Sequence, residues 1–313
     1  MILSKHPFHL RVNRFLRNIC YMRVTVADLI RDAFPSLPKA ERRVAHQILS
    51  AYPVAGLETV ARLAQRAGVS GPTILRFTTR LGFDGYPSFQ DRLLSELDEQ
   101  NASPLLQFEQ KAHPGTDVIQ RSRQVLCESL SRSLEVMELT AFTAAVDRLA
   151  TASGRVLTAG GRFSELSMQM LARHLEILRP GVRHLPSSEW ISFALDARRS
   201  DTIIIADHRR YQRSTIDFGR ELRRRGVHLI LLTDPWMSPL AFEADSVLSA
   251  AVDGPSPFDS QVATVGIIET LISGVVDHIG DKARRRITDY DKLWDAQGFH
   301  YTDKKSDYEV GAA

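Results

Sequence analysis

The chain has 313 residues with 40 Lys and Arg against 37 Asp and Glu, a formal charge of +3, and 43% hydrophobic residues. That length suits two domains, and the composition is ordinary for a soluble globular protein rather than a disordered or fibrous one. The small net charge disfavours a non-specific polyanion binder, no apolar run approaches the ~20 residues that span a bilayer, and Cys20 and Cys127 have no partners at metal-ligand spacing. The expectation is a cytoplasmic protein with reduced thiols, no membrane segment, no metal and no cofactor.

Residues 1–23 carry Lys5, Arg11, Arg14, Arg17 and Arg23 with no acid, and lack the apolar core and cleavage site of a signal peptide. Two readings stand: a disordered leader preceding a true start at Met22, or a basic arm touching DNA. Starting at Met22 takes the formal charge from +3 to −1.

Residues 24–98 read as an all-helical domain. Val26, Leu29, Ile30 and Ala33 space an amphipathic helix over 25–34, and Val44, Ile48 and Leu49 mark the buried stripe of another over 39–51. Two short helices then meet at Ala67-Gly68-Val69-Ser70. Leu63, Ala67, Val69, Ile74 and Phe77 face the crossing, and Ala64 allows close approach. Gly68 supplies the positive φ of a tight turn. Ser70 is placed to cap the second helix through its hydroxyl, and Pro72 sits where a missing N–H is harmless. This is a helix-turn-helix. The outward set on its second helix is Gly71, Pro72, Thr73, Arg76 and Arg80. Ser70 and Thr73 suit phosphates or bases, Arg76 a guanine edge or a phosphate, and Arg80 the DNA backbone. Arg62 and Arg66 suit the backbone or a solvated face. A further helix over 88–97 buries Phe89, Leu93, Leu94 and Leu97.

Residues 99–117 are polar and broken by Pro104, Pro114 and Gly115, a linker. From 118 to 285 the pattern becomes a long helical segment (118–150) and then alternating strands and helices. Strands are expected at 155–159, 182–185, 202–206, 227–232 and 246–248. Helices are expected at 164–178, 189–197, 215–225 and 259–279. Thr202-Ile-Ile-Ile-Ala206 has the character of a strand buried on both faces. The alternation implies right-handed βαβ units in a doubly wound parallel sheet. Residues 286–313 form a charged tail with no clear pattern.

Ligands of such sheets bind at the carboxyl ends of the strands. Gly160-Gly161-Arg162 with Ser164 is a glycine-rich turn opening a helix, suited to an anion or serving turn geometry alone. Asp207-His208-Arg209-Arg210-Tyr211-Gln212-Arg213-Ser214-Thr215 follows the most buried strand, and its three arginines and histidine suit a phosphate or carboxylate, a solvated loop or a subunit contact. Ser187 and Ser188 with Glu189, and Thr233-Asp234, add polar groups to the same rim. An enzyme would need a base there, for which His174, His208, Glu165 and Glu189 are the candidates, and no pair of them is placed for proton transfer.

Taken together, Ala40-Glu41-Arg42-Arg43-Val44-Ala45, Leu63-Ala64 to Ser70, Thr73-Ile74-Leu75-Arg76-Phe77, Leu81-Gly82-Phe83, Thr202 to Ala206, Leu232-Thr233-Asp234 and Ser238-Pro239-Leu240-Ala241 resemble transcriptional regulators of the MurR/RpiR type. The resemblance spans about residues 25–280. It implies an N-terminal helix-turn-helix and a Rossmann-like sugar isomerase (SIS) domain. It also implies binding of double-stranded operator DNA as a homodimer or homotetramer, and sensing of a phosphorylated sugar or related metabolite. One departure stands out. SIS domains usually place a Ser-x-Ser-Gly-x-Thr-like phosphate loop after the third strand, where this chain has Asp207 to Tyr211. The expected effector is therefore a small anionic metabolite, a sugar phosphate or a carboxylate. The competing expectation is a phosphosugar isomerase with an accessory helix-turn-helix.

Overall fold

A computed structural model describes residues 25–50, 52–101, 103–111 and 117–298. Both readings of residues 1–23 lie outside the described residues, as do 112–116 of the linker and the tail from 299. The chain divides after Glu99 into two compact units.

The first unit is helical: α1 (Val26–Ala33), α2 (Lys39–Leu49), α3 (Val60–Ala67), α4 (Gly71–Arg80) and α5 (Tyr86–Asn101). Thr25 starts α1 with a capping box: its hydroxyl accepts from Asp28 N, and Asp28 accepts from Thr25 N. Thr59 caps α3 through its hydroxyl alone, which accepts from Arg62 N. Gly68 ends α3 at φ 63° and ψ 40°, and Val69 N returns to Ala64 O at 3.0 Å. A left-handed residue at that position lets the chain reverse within one turn. Ile30, Val44, Ile48, Leu63, Ile74, Phe77, Phe89 and Leu93 are fully buried in one cluster. Each comes from the apolar stripe of its helix. Leu94, assigned to that core from the sequence, is 49% exposed.

The second unit opens with α6 (Pro104–Lys111), α7 (Val118–Glu135) and α8 (Leu139–Thr151). The stretch expected as a linker is thus helical at Pro104–Lys111, and within it Gln107 is buried with its amide 3.5 Å from Asp259. The proline that signals a break instead occupies the first position of the helix, where its fixed φ is helical.

A parallel sheet follows: β1 (Val156–Gly160), β2 (Val182–His184), β3 (Thr202–Ala206), β4 (His228–Thr233) and β5 (Ser246–Ser249), in the order β2-β1-β3-β4-β5. The register aligns Val156 with Thr202 and Thr202 with His228. Helices α9 (Ser164–Leu178), α10 (Trp190–Asp196), α11 (Arg213–Arg224) and α12 (Val262–Ile279) cover the faces. Along β3, Ile204 and Ala206 join the core of α8, α9 and α12, whereas Ile203 and Ile205 join that of α10 and α11. That is the period-two alternation of a strand sandwiched between two helical layers. Helix α12 is long and apolar enough to cross a membrane, but Ala263, Ile267, Ile268, Leu271 and Val275 pack into this core. Finally α13 (Asp281–Ala296) replaces the patternless tail expected after 285 with a regular helix of which Ala283 is the one buried residue.

Leu171 is fully buried on the α9 face of the sheet. Leu171→Ala is expected to destabilise this unit by about 2–5 kcal/mol, because the cavity cannot be filled by rigid neighbours. The shift in urea midpoint measures it.

Candidate functional site

Two regions carry the residues singled out from sequence. The first is the outer face of α4. Ser70 precedes the helix with extended backbone (φ −86°, ψ 155°), yet its hydroxyl makes no capping bond to a backbone N–H. It lies instead 3.0 Å from Thr73 Oγ1. Thr73 is only 6% exposed, so the expectation that it faces outward is corrected. Its hydroxyl oxygen accepts from Arg76 Nη2 at 3.2 Å, and the run Ser70–Thr73–Arg76 forms one polar chain along the first turns of α4. The reason is helical: residue 73 shares the inward face with Ile74 and Phe77, both fully buried.

Arg76 is exposed, as are Pro72, Leu75, Thr79 and Arg80, while Gly71 is half-buried. Leu75, 45% exposed, and Thr79 belong to the outer face and were missed from sequence. A helical wheel drawn on 72, 75, 76 and 79 would have found them. Arg80 is not a loose cation: its Nε donates to Glu41 Oε2 at 2.8 Å. Arg66 likewise pairs with Glu58 at 2.7 Å, with Arg62 3.6 Å from the same oxygen.

The second region is the carboxyl edge of the sheet. Gly160 ends β1 beneath the start of α9: a Cβ there would lie 2.9 Å from Glu165 N. At Gly161 it would lie 3.0 Å from Gln212 Oε1. Close approach to backbone therefore requires a glycine at 160, whereas at 161 the neighbour is the end of the Gln212 side chain, which can move. Arg162 is exposed and stacks on Phe163, its guanidinium carbon 5.1 Å from the ring centre. Ser187 and Ser188 are exposed on the turn after β2.

The loop after β3 departs most from expectation. His208 was expected to face an anion. It is 8% exposed, its Nδ1 lies 3.2 Å from Ser164 Oγ, and its Nε2 lies 3.0 Å from Thr264 Oγ1. Burial lowers its pKa to about 4, against the opposing charge of Asp259. It is thus a neutral strut between α9 and α12, and Ser164 is its partner rather than an open ligand group. Arg209 Nε donates to Asp259 Oδ1 at 2.8 Å, which neutralises it, and the guanidinium lies over Trp236. Tyr211 donates to Asp234 Oδ1 at 2.8 Å. Of His208, Arg209, Arg210 and Tyr211, Arg210 alone is exposed, at φ 64°; Arg213, at the start of α11, is exposed as well. The carboxylates at this edge are buried. Asp207 accepts from the Ser238 hydroxyl, and burial raises its pKa to about 6. Asp234 is fully buried, its Oδ2 has no partner among the described residues, and burial raises its pKa to about 7, with Asp207 adding repulsion. A loop continuing from a strand buried on both faces enters the core with its first residues, which is why these groups turn inward.

The sequence reading also missed His184, the last residue of β2. Its Nδ1 is 3.0 Å from Thr158 Oγ1, and its Nε2 is 3.2 Å from Glu165 Oε1. Thr158 donates its one hydroxyl proton to Met168 O at 2.9 Å. It therefore accepts from Nδ1–H, which leaves Nε2 facing the Glu165 carboxyl group. Parallel pairing of Thr158 with His184 is what assembles this group. His174, by contrast, is exposed and bonded to Met170 O at 2.9 Å, and Glu189 pairs with Arg183 at 2.8 Å. Among the described residues no cluster of His, Cys, Asp or Glu could hold a metal ion.

The linkage signs at this edge oppose. Depressed His208 contributes stability above about pH 6.5 that is lost as pH falls toward 4, whereas the raised Asp207 and Asp234 destabilise as pH climbs from about 4 to about 7. Asp234→Asn keeps the acceptor used by Tyr211 and Trp236 N and removes one rising penalty. It is expected to raise Tm at pH 8 but not at pH 4, the gain being about 1.4 kcal/mol for each pKa unit removed. Thermal unfolding of both proteins across that range checks it.

Against known families, residues 24–100 match the helix-turn-helix domain of the rpiR family, and residues 149–274 match the SIS domain. The HTH-type transcriptional regulator HexR of Escherichia coli is 23% identical over 83% of this chain and 91% of its own length. Its namesake in Pseudomonas aeruginosa is 25% identical over 79% and 88%. Among solved structures, the sugar isomerase domain of an RpiR transcription factor from Sphaerobacter thermophilus is 26% identical, with a TM-score of 0.51 over 56% of this chain and 98% of that one. The Vibrio vulnificus NanR protein complexed with ManNAc-6P is 18% identical, with the same TM-score over 87% and 98%, a likeness of fold.

Proposed function

Given that the chain belongs to the rpiR family of helix-turn-helix transcriptional regulators with a SIS domain, we propose that α4 reads double-stranded operator DNA and that a small anionic metabolite at the carboxyl edge of the sheet controls that binding. The observation that carries the first half is the outer face of α4. Arg76 is exposed there and tethered by Thr73, so its fork is held over the N-terminal turns that enter a major groove. Gly71 and Pro72 let the backbone approach, Ser70 orients Thr73, and Arg80 contacts phosphate.

The effector half rests on what remains open at the edge. His208, Arg209 and Tyr211 are committed to internal partners and Gly160 and Gly161 are buried, so the anion is met by Arg162 and Arg210 with Ser187 and Ser188. A sugar phosphate or a carboxylate fits that set. Effector and operator affinities are coupled reciprocally, through a homodimer or homotetramer that spaces two recognition helices. Val118, Ile119, Val136 and Leu139, apolar and at least 61% exposed, support such assembly. The protein acts in the cytoplasm, without a cofactor, and is not an enzyme.

The isomerase reading has one observation in its favour, the 3.2 Å contact between Glu165 Oε1 and His184 Nε2. Aldose–ketose turnover of a phosphosugar that disappears in Glu165→Gln would establish it.

Two experiments test the regulator. Arg76→Ala should weaken retention of a duplex selected from a random pool by the wild-type protein, by about 1–3 kcal/mol, with an unchanged circular dichroism spectrum. Equal retention would remove α4 as the reading element. A thermal-shift screen of phosphosugars and sugar acids on the full chain should find a stabilising anion whose effect is lost in Arg162→Ala/Arg210→Ala. Stabilisation that survives the double substitution would place the effector elsewhere.

A further inference from the structure

Glu41 is a carboxylate where a DNA-binding face should not have one. It sits in the first turn of α2, 4% exposed, surrounded in sequence by Lys39, Arg42 and Arg43. Burying an ionised carboxylate is unfavourable unless a cation and hydrogen bonds compensate it. Its partner is Arg80, in the last turn of the recognition helix, through Nε alone. The Arg80 side chain is 46% exposed, and its two terminal amino groups have no partner among the described residues. A guanidinium has five donors in a rigid plane. Held by the Nε edge, it keeps the fork of terminal N–H groups for a second acceptor.

The neighbouring arginines show the same economy of charge. Arg43 Nη2 donates to Gly68 O at 2.9 Å, closing α2 onto the turn of the helix-turn-helix, and Glu58 holds Arg66 beside Arg62. Arg80 differs in that its anchor is buried and lies 39 residues away on another helix. The orientation of Arg80 is therefore set by the packing of α2 against α4, not by its own flexible stem.

We propose that Glu41 is a positioning residue for operator binding: it grips Arg80 at Nε and presents the terminal amino groups to a DNA phosphate. Holding the side chain beforehand removes much of the rotamer entropy that an unrestrained arginine loses on contact. The proposal rests on the operator-binding reading above.

Electrostatics alone makes the opposite prediction, which gives the test its force. Deleting a negative charge near DNA should tighten binding by lowering repulsion. Under the proposal, Glu41→Gln weakens it about five- to thirty-fold. The probe is a duplex selected from a random pool by the wild-type protein, with concentrations normalised to folded protein by circular dichroism. Arg80→Ala should weaken binding by a similar factor, and adding Glu41→Gln to Arg80→Ala should change nothing further. Arg80→Lys, which keeps the charge on an exposed position but has no Nε edge to grip, should fall with Arg80→Ala. Tighter or unchanged binding by Glu41→Gln, additive losses in the double variant, or wild-type affinity in Arg80→Lys would each overturn the proposal. Failure of the wild-type protein to retain any duplex would instead remove the operator-binding reading, and this proposal with it.

Discussion

The central strand β3 leaves no room for solvent: all five of its residues are buried, and its neighbours on both edges are parallel strands. Every backbone N–H and C=O within it must be satisfied by β1 and β4, and both side-chain faces must be covered by helices. Those demands arrange α8, α9 and α12 on one side and α10 and α11 on the other. They also dictate where chemistry is possible, since only the carboxyl edge, where the strands give way to loops, can present polar groups.

The same strand explains why its loop is not an open anion cradle. Asp207 and His208 follow without a bend to the surface and are held by Ser238, Ser164 and Thr264. Asp207 O also accepts from the Thr233 hydroxyl at 2.8 Å, tying the loop to β4. A loop with a hydroxyl at each of these places could offer them to a phosphate. Here a carboxylate bonded to Ser238 and a neutral imidazole held between Ser164 and Thr264 fill the space instead. The cations that remain accessible, Arg162, Arg210 and Arg213, lie farther out, and an effector would be met at the rim rather than in the floor.

The helix-turn-helix obeys a different constraint. Its turn depends on Gly68 in the left-handed region, and its two helices on Leu63, Ala64, Ile74 and Phe77 meeting closely. Once that crossing is made, Arg76 and Arg80 each have a side-chain partner. Thr73 steadies Arg76, and buried Glu41 holds Arg80. A surface described from sequence as a row of independent contacts is a set of oriented ones.

By itself the sequence determined the two domain types, because each is written in local patterns: helical periodicity and a glycine turn in the first, apolar strands alternating with amphipathic helices in the second. Gly68, the inward set around Phe77, and β3 lie where those patterns put them, since burial of apolar stripes and positive φ are properties of short segments. The helices at Pro104–Lys111 and Asp281–Ala296 were not legible. The first opens on a proline that also marks breaks, and the second is charged nearly all round with one buried residue. Only the tertiary structure decided the state of the site residues. Whether His208 is an open ligand or a neutral strut, whether Arg209 is free or spent on Asp259, and whether His184 meets Glu165 depend on residues 19 to 56 positions away. Charge and desolvation act through space, so one-dimensional spacing records which ionisable groups are present and leaves their partners to the packing.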